Sequence, residues 1–345
     1  MPGFKAPDHW FEPRGWKSAL LAPLGFAYGR AARWRMDKAE PITVDAPVIC
    51  IGNVTVGGTG KTPTAIALAH AARKQGYAPG IVSRGYGGIH KSAHLVDAKN
   101  DAVRNVGDEA LLLARVAPTV IGANRAKSAE LLIENGCDFL LMDDGFQSQK
   151  LYFDYGLITI DARRGIGNGH CIPAGPLRAP LRDQMRMCDA VVRIGYGDAG
   201  DEVVRAAARA AKPVMSATLK PANVREISQK KVLAFAGIGD PQKFFDTLST
   251  YGCWLSHAVP FGDHHMFTPA DAQKLLTLAD SEGLELVTTE KDHVRLIYDQ
   301  GPLGELKKRS HVLPVSLVFE AKSDALSIIQ AVERSFDDRR LKKKL

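Results

Sequence analysis

Residues 52–62 form a glycine-rich stretch, Gly52-Asn53-Val54-Thr55-Val56-Gly57-Gly58-Thr59-Gly60-Lys61-Thr62. A predicted strand, Val48–Ile51, precedes it, and a predicted helix, Thr62–Gln75, follows it. Its end matches the phosphate-binding pattern G-x-x-x-x-G-K-[ST], although Thr55 stands where that pattern opens with glycine. Successive backbone N–H groups of such a loop point inward, and the positive end of the helix dipole lies behind them. The stretch therefore predicts a site for the phosphates of a nucleotide.

The roles of residues within this loop follow from phosphoryl-transfer chemistry. We expect Lys61 to reach the β- and γ-phosphates and the Thr62 hydroxyl to bind Mg²⁺, so ATP and Mg²⁺ are the expected cofactors. GTP is not expected, because a glutamate separates threonine from lysine in Thr289-Glu290-Lys291-Asp292 and the spacing of a guanine-recognition signature is lost. The predicted nucleotide contacts are Thr55, Val56, Gly57, Gly58, Thr59, Gly60, Lys61 and Thr62.

Two aspartates follow an apolar run farther along the chain. Phe139–Met142 has the pattern of a buried strand, and Asp143-Asp144-Gly145 follows it directly. Ligands bind at the carboxyl ends of parallel strands, so these carboxylates are expected beside the phosphate loop. One of them would hold Mg²⁺, directly or through water, and the other is free for another role. An ordinary Asp-Asp-Gly turn is the alternative interpretation.

Short apolar runs alternate with helical stretches from residue 46 onward. This alternation is typical of βαβ units and a parallel sheet, and we therefore predict an α/β fold. The polar stretch Lys220–Lys230 is interpreted as a linker, after which a second α/β unit begins. The predicted segments are an amphipathic membrane-surface segment (1–40), a phosphate-loop domain (41–219), the linker (220–230), a smaller α/β domain (231–333) and a basic tail (334–345).

The first forty residues combine aromatic, aliphatic and basic side chains. Three of the four tryptophans lie there, at Trp10, Trp16 and Trp34. No run reaches the ~20 apolar residues that a membrane span requires, and Pro23 interrupts the nearest candidate, Ala19–Tyr28. Tryptophan favours the headgroup level of a bilayer, and arginine pairs with lipid phosphate. We predict an amphipathic helix on an anionic membrane surface; a helix packed on the protein's own core is the alternative.

Composition narrows the class of protein but does not choose its partner. The chain has 345 residues, of which 24% are charged, and this balance is typical of a globular protein. The formal net charge of +7 suits nucleic acid, anionic lipid or a phosphorylated substrate alike. The cysteines are five, dispersed and without a C-x-x-C pair, which argues against a disulfide framework or a zinc site.

Two polar motifs are candidates for proton transfer. Gly107-Asp108-Glu109 precedes a predicted helix, where Asp108 could equally be the N-cap. Asp263-His264-His265 lacks the i, i+4 spacing of helical metal ligands, whereas a histidine oriented by a carboxylate is a good proton acceptor. The residues alone leave a catalytic and a structural role open for both motifs.

Cationic and aromatic residues near predicted strand ends are candidates for holding a phosphorylated substrate. Ser83-Arg84-Gly85-Tyr86-Gly87-Gly88 follows one strand, and Arg125 lies just past the strand Thr119–Gly122. Pro173-Ala174-Gly175-Pro176-Leu177-Arg178 is a rigid segment with one arginine. Plain turns and solvated charges are the alternatives. The candidate substrate contacts are Asn53, Arg84, Tyr86, Gly87, Arg125 and Arg178.

The ordered set of motifs resembles the tetraacyldisaccharide 4′-kinase family. The resemblance runs from about residue 10 to about residue 330, and its further motifs are Asp143-Asp144-Gly145-Phe146-Gln147, Gly167-Asn168-Gly169, Phe235-Ala236-Gly237-Ile238-Gly239 and Phe261-x-Asp263-His264-His265. Two positions depart from the pattern, because family members usually carry histidine where this chain has Ser148 and glutamate where it has Ala179.

The resemblance implies two α/β/α domains joined by a hinge, the first with a P-loop NTPase-like parallel sheet and the second smaller, preceded by an amphipathic N-terminal helix. It implies a peripheral, monotopic enzyme on the cytoplasmic face of the bacterial inner membrane. This enzyme would transfer the γ-phosphate of ATP to the 4′-hydroxyl of an acylated glucosamine disaccharide 1-phosphate, giving lipid IVA in lipid A biosynthesis. A monomer without a nucleic-acid partner is expected.

The same resemblance assigns roles to individual residues. Lys61 and Thr62 would bind ATP and Mg²⁺, and Asp143 and Asp144 would serve the metal and the lysine. Asp108 and His264 would form the acid–base pair. The predicted catalytic set is Asp108, His264, Lys61 and Asp144, and the predicted metal ligands are Thr62 and Asp143. The alternative, from another class, is a membrane-associated P-loop NTPase that acts as a partner-binding switch.

Overall fold

The computed structural model of the chain describes residues 6–90, 92–222, 224–296 and 300–344. Its strands are β1 (Val48–Asn53), β2 (Pro79–Ser83), β3 (His94–Leu95), β4 (Thr119–Ile121), β5 (Phe139–Asp143), β6 (Tyr155–Asp161), β7 (Ala190–Ile194), β8 (Val214–Pro221), β9 (Lys231–Ala236), β10 (Trp254–Pro260), β11 (Glu285–Thr289), β12 (Ser310–Leu313) and β13 (Val315–Phe319). Its helices are α1 (Trp16–Asp37), α2 (Lys61–Lys74), α3 (Val103–Val106), α4 (Asp108–Ala114), α5 (Arg125–Glu134), α6 (Leu181–Arg186), α7 (Asp201–Arg209), α8 (Pro241–Thr250), α9 (Pro269–Glu282), α10 (Glu290–Arg295), α11 (Gly301–Arg309) and α12 (Asp324–Lys344).

The larger sheet has nine strands in the order β13-β8-β7-β6-β1-β5-β2-β4-β3. Neighbouring strands are parallel except at the two ends, where β13 pairs with β8 and β3 pairs with β4 in antiparallel fashion. The central strand β1 is buried along its whole length, as expected of a parallel sheet with both faces covered. On one face, Ala65 and Leu68 of α2 pack against Ile49 and Leu141. The predicted parallel α/β sheet is thus confirmed.

The smaller sheet has four parallel strands in the order β10-β9-β11-β12. Leu275 and Leu276 of α9 pack with Phe235 on one face, and Phe244 and Phe245 of α8 lie in the core of the other. Helix α9 begins at a capping box, in which the Thr268 hydroxyl accepts the Asp271 N–H and the Asp271 carboxylate accepts the Thr268 N–H. The smaller sheet is therefore covered by helices on both of its faces.

The boundary between the two sheets differs from the sequence-based prediction, which assigns all of residues 231–333 to the smaller domain. Ser310–Leu313 pairs with β11 in the smaller sheet, whereas Val315–Phe319 pairs with β8 in the larger one. Pro314 stands between them, and its lack of an N–H removes a ladder hydrogen bond at that point. The chain therefore crosses between the sheets a second time at Pro314.

The predicted basic tail, 334–345, also differs from the structure. Residues 324–344 form the single helix α12, which packs Ile328, Ile329 and Val332 into the core beneath α2. Near its end, Arg339 Nε donates to Asp154 Oδ1 at 2.7 Å, and Arg339 Nη1 donates to Val44 O at 3.1 Å. The sequence-based interpretation rested on the basic residues at the end of the chain and missed the apolar residues Ile328, Ile329 and Val332 earlier in the same helix.

Helix α1 is continuous from Trp16 to Asp37, although Pro23 lies inside it. Its buried side carries small residues, and a methyl group on Gly25 would lie 2.7 Å from Cys171 O. Its opposite side exposes large apolar residues, Trp16, Leu20, Leu24, Phe26 and Trp34. Across the residues that the structure describes, none of the helices combines the length and apolar character needed to span a bilayer. The small-residue side therefore docks the helix and leaves the bulky side outward.

Candidate active site

The carboxyl ends of the adjacent strands β1, β5, β2 and β4 meet at one edge of the larger sheet. Strand β1 leads into the phosphate loop, β5 ends at Asp143, and β4 leads to Arg125 at the start of α5. Ile51 of β1 and Asp143 of β5 are direct partners in register. The topology therefore brings the predicted nucleotide, metal and substrate residues to the edge where ligands of parallel sheets bind.

The phosphate loop is held in shape by polar groups within it and by a hydroxyl of the neighbouring strand β6. Asn53 Nδ2 donates to Gly57 O at 3.1 Å, and the hydroxyls of Thr59 and Thr159 lie 2.8 Å apart. Gly60 is the N-cap of α2 with a φ of 87°, and a side chain there would also meet Ile194. Only glycine adopts this conformation without strain. Asn53, predicted to contact the substrate, is buried and supports the loop in this structure.

A second segment, residues 170–178, braces the same loop from outside. Thr55 and Leu177 form an antiparallel bridge, and Val56 N donates to Pro176 O at 2.9 Å. Arg178 Nε donates to Thr55 O at 3.1 Å. The departure from the glycine pattern at Thr55 is thus explained, because this position is part of a short two-stranded contact in which a side chain is tolerated.

Asp143 is a buried carboxylate at the end of β5. Burial, followed by the charge of Glu109, raises the pKa of Asp143 to about 7 against the opposing influence of Lys61. Its Oδ1 atom has no hydrogen-bond partner among the described residues. A hard cation takes such an oxygen as a ligand, and the Thr62 hydroxyl is buried on the first turn of α2. The residues present therefore fit the predicted Mg²⁺.

Asp144 has a different environment from its neighbour. Arg178 Nη1 lies 2.6 Å from Asp144 Oδ1, and Arg125 Nη2 donates to Asp144 O at 2.7 Å. Burial opposes ionisation, but Lys61 and the Arg178 guanidinium outweigh it and lower the pKa of Asp144 to about 2. Asp144 is therefore a permanent anion that two cations face, and it is a poor proton acceptor.

Asp108 and His264 come together from the two sheets. His264 Nδ1 lies 3.2 Å from Asp108 Oδ2, although 156 residues separate them. Asp108 is the first residue of α4, and the N-cap is Gly107, so the N-cap interpretation of Asp108 is wrong. The Tyr86 ring lies against His264, with 5.5 Å between ring centroids. The geometry therefore permits the predicted pair and adds an aromatic neighbour.

The electrostatics of this pair favour a charged aspartate. Burial opposes ionisation of Asp108, but the hydrogen bond from His264 and the charges of Arg295 and Lys291 hold its pKa well below its usual range. The hydrogen bond to Asp108 in turn raises the pKa of His264. A histidine whose one nitrogen is held by a carboxylate presents its other nitrogen as the base.

The remaining predicted substrate residues divide into two groups. Arg125 and Arg178 are held on Asp144 beside the phosphate loop. Arg84, Tyr86 and Gly87 lie in the exposed loop after β2, where Tyr86 faces His264. Contact of either group with a substrate stays a prediction.

Two charged contacts at the site have no counterpart in the sequence-based assignments. Arg295 of α10 donates through Nε to Asp108 Oδ2 at 2.8 Å. Lys291, one turn earlier on the same helix, forms an ion pair with Glu109. The Thr289-Glu290-Lys291-Asp292 run could have drawn attention to this helix, but no pattern in the sequence indicates a buried arginine three residues beyond it.

The two departures from the family pattern lie outside these contacts. Ser148 Oγ donates to Gly145 O at 3.0 Å and so closes the turn after the aspartates. Ala179 is buried against Ala32 and Met36 of α1. The alanine therefore belongs to the surface on which α1 docks.

The family comparison covers most of the chain. Residues 17–333 match the family model described as LpxK, tetraacyldisaccharide-1-P 4′-kinase. A protein named tetraacyldisaccharide 4′-kinase from Chelativorans sp. (strain BNC1) is 48% identical over 343 residues, which cover 99% of this chain and 100% of that protein. A protein of the same name from Brucella canis is 48% identical over 336 residues, covering 97% of this chain and 98% of that protein.

The structural comparison supports the same architecture. A crystal structure of the LpxK protein of Aquifex aeolicus in complex with ATP has a TM-score of 0.71. It covers 92% of this chain and 99% of its own, at 24% sequence identity. Because the identity is this low, the likeness concerns the fold alone.

Proposed function

The chain belongs to the tetraacyldisaccharide-1-P 4′-kinase family, and we propose that its reaction takes place where the phosphate-loop edge of the larger sheet faces α10 and His264. The enzyme transfers the γ-phosphate of ATP to the 4′-hydroxyl of a tetraacyldisaccharide 1-phosphate, forming lipid IVA in lipid A biosynthesis. The observation that carries the placement is the 3.2 Å contact between Asp108 and His264. This contact supports the proposal that a proton acceptor from the smaller domain serves the edge where we expect the phosphates to bind.

The phosphate side of the site is assigned to residues of the larger sheet. The backbone N–H groups of residues 57–61 would receive the phosphates of ATP, with Lys61 at the transferring group. Asp144 would orient Arg178, whose Nη1 lies 2.6 Å from Asp144 Oδ1, and its negative charge would attract Lys61. Because these cations lower its pKa, Asp144 is a poor proton acceptor. Thr62 and Asp143 would hold Mg²⁺, which when bound neutralises charge that develops on the phosphate oxygens.

The proton side of the site is assigned to His264. Its Nδ1–H donates to Asp108, so Nε2 takes the proton of the 4′-hydroxyl as that oxygen attacks the γ-phosphorus. The bond between the γ-phosphorus and the bridging oxygen of the β-phosphate breaks, and ADP leaves. His264 then returns the proton to solvent. General-base assistance of this kind contributes roughly 10² to 10⁴ in rate.

We assign α1 to the membrane surface on which the acylated substrate lies. Its outward side carries Trp16, Leu20, Leu24 and Trp34, and Lys17 and Arg35 flank that stripe. Aromatic and aliphatic groups enter the headgroup region, and the basic groups pair with lipid phosphate. We place the enzyme, as a monomer, on the cytoplasmic face of the inner membrane, where ATP is available. No role for nucleic acid is proposed.

Acceptor-dependent phosphoryl transfer tests this assignment. The full-length enzyme is incubated with ATP labelled with ³²P at the γ-position, and with the tetraacylated disaccharide 1-phosphate in mixed micelles. We expect label in the lipid product, and loss of that product when the acceptor is omitted. Release of inorganic phosphate alone, unaffected by the acceptor, would instead favour an NTPase switch that binds a partner.

A further inference from the structure

Arg295 is a fully buried arginine whose every side-chain nitrogen has a partner; its relative exposure is 1%. Nη1 donates to Gly237 O at 2.6 Å and to Asp292 Oδ1 at 2.8 Å. Nε donates to Asp108 Oδ2 at 2.8 Å, and Nη2 is also paired with that oxygen. One edge of the guanidinium therefore binds groups of the smaller domain, and the other edge binds the Asp108 carboxylate of the larger domain.

The anchoring within the smaller domain is itself well defined. Thr289 is the N-cap of helix α10, and its hydroxyl donates to Asp292 Oδ2 at 2.6 Å. The other oxygen of Asp292 accepts the Gly237 N–H at 3.0 Å. Thr289 and Gly237, both in the smaller domain, therefore hold Asp292 in place independently of Arg295. The guanidinium of Arg295 is planar and is held at Nη1 by Gly237 and Asp292, so its opposite edge, Nε and Nη2, is directed toward Asp108.

The Asp108 carboxylate is surrounded by donors. Its Oδ1 accepts the Glu109 N–H at 2.9 Å, and its Oδ2 accepts from Arg295 and from His264. Arg295 Nη2 also lies 3.3 Å from His264 Nδ1. A carboxylate with this many donors is held in one rotamer and stays ionised. Because Asp108 Oδ2 is fixed, the direction of the His264 ring is fixed with it.

We propose that Arg295 is a positioning residue for the proton-transfer pair: its fork holds Asp108 Oδ2 against His264 Nδ1 and leaves His264 Nε2 to accept the proton. The proposal rests on the assignment of His264 as the base in lipid phosphoryl transfer. It adds a third member to the pair, and that member comes from α10. Asp108 acts in this arrangement as a fixed anion, and Arg295 touches no reacting atom.

A pH profile separates positioning from a structural role. The positive charge of Arg295 opposes protonation of His264, so its removal raises the pKa of His264. Activity requires neutral His264, so kcat falls on the acid side of its pH profile as His264 becomes protonated. This acid limb of the profile then moves to higher pH. The charged or titratable groups that face the pair are Arg295, Lys291 and Asp292 from α10, Glu109 from α4, Asp263 beside His264, and Tyr86 from the loop after β2.

The experiment compares Arg295→Met with Arg295→Lys in the full-length enzyme. Both are assayed for ³²P transfer from γ-labelled ATP to the tetraacylated disaccharide 1-phosphate between pH 5 and pH 9. We expect Arg295→Met to lower kcat by roughly 10²-fold with a modest change in KM for ATP, and to shift the acid limb upward. We expect Arg295→Lys, which keeps the charge, to recover part of kcat and to keep the limb in its original place.

Controls distinguish the outcomes. Arg309→Met removes another ion-paired arginine of the smaller domain, which lies 2.6 Å from Asp280, and it should leave kcat and the limb unchanged. If Arg295→Met lowers the melting temperature while the limb stays in place, Arg295 is only structural and the inference is overturned. The inference is also overturned if Arg295→Lys is as slow as Arg295→Met and neither variant shifts the acid limb of the pH profile. Failure of the unmodified enzyme to label the lipid would overturn the proposed function instead.

Discussion

The phosphate loop and the proton-transfer pair are built in opposite ways. The loop is continuous in sequence, and its supports, Asn53, Thr159 and the segment 170–178, all belong to the larger domain. The pair joins Asp108 to His264 across 156 residues, and Arg295 reaches Asp108 across 187. A site within one domain exists whether or not the domains approach each other, whereas a shared site depends on their closure. Nucleotide binding and proton transfer should therefore respond separately to mutation.

The largest effect is expected at the phosphate loop. Lys61→Ala should lower kcat by about 10³-fold and weaken ATP binding, because it removes a cation from the charge that develops on the transferred group. Lys74→Ala, an exposed lysine at the other end of α2, is the matched control and should be active. Steady-state transfer assays measure the loss of turnover, and a thermal melt checks that the variants are folded. Near-normal turnover of Lys61→Ala would remove the loop from the mechanism.

The pair should show the opposite balance between binding and rate. His264→Ala should lower kcat by roughly 10²-fold, while the affinity for a non-hydrolysable ATP analogue stays within about threefold, since the loop does not depend on His264. His265→Ala is the control, because His265 Nε2 lies 3.0 Å from Oδ2 of Asp271, which is part of the capping box at the start of α9. Equilibrium binding measured beside kcat checks this. A large loss of analogue affinity in His264→Ala would show that the two regions are not separate.

A change on α1 should affect neither region directly. Leu20→Asp combined with Leu24→Asp should reduce binding to vesicles containing anionic phosphatidylglycerol by at least about tenfold. The reason is that each leucine side chain that enters the lipid contributes ~1.5–3 kcal/mol to binding. Added salt should weaken the remaining binding, because charge attraction is screened beyond ~10 Å at about 0.1 M. Leu95→Asp, an exposed leucine of β3, is the control. Sedimentation of the double variant equal to that of the unmodified enzyme would exclude α1 as the membrane contact.

The smallest effect concerns stability against pH. The pKa of Asp108 is lowered in the folded protein, so its contribution is present above its unfolded pKa and is lost as pH falls through the folded value. The pKa of His264 is raised, so its contribution is present below its unfolded pKa and is lost as pH rises through the folded value. Both contributions coincide near pH ~5, between the ordinary values of the two groups. The melting-temperature difference between the unmodified enzyme and Asp108→Asn should therefore be largest there, by a few degrees; a difference independent of pH would contradict the pair.

The two regions also differ in how far the sequence predicts them. The loop, its strand and its helix are local, so glycine spacing and apolar periodicity place them nearly to the residue. The pair could be named only through the resemblance to a family, because no local pattern reports that residues 108 and 264 meet. Arg295 was missed for a related reason: a buried arginine and a solvated one look the same in a sequence, and burial is decided by Asp108 and Asp292.

The errors in the fold have a similar origin. Residues 310–319 are mostly apolar, and such a pattern does not report which sheet a strand joins. In the structure β12 pairs with β11, β13 pairs with β8, and Pro314 separates the two strands. The tail was interpreted from its final lysines, although Ile328 and Val332 already have the spacing of a helix that packs on α2. Pro23 lies inside α1 because the docking of Gly25 and Gly29 on the 171–180 segment holds the helix together around it.

The most direct test of a proton-transfer site shared by two domains is a double-mutant cycle on single-turnover transfer to the lipid. Asp108→Asn, His264→Ala and the combined variant are measured with saturating ATP at one pH. Residues that act as one unit are not additive, so the combined variant should be no more than about threefold slower than the slower single variant. Losses that multiply would mean that Asp108 and His264 act independently, and the account of a pair assembled across the domains would be wrong.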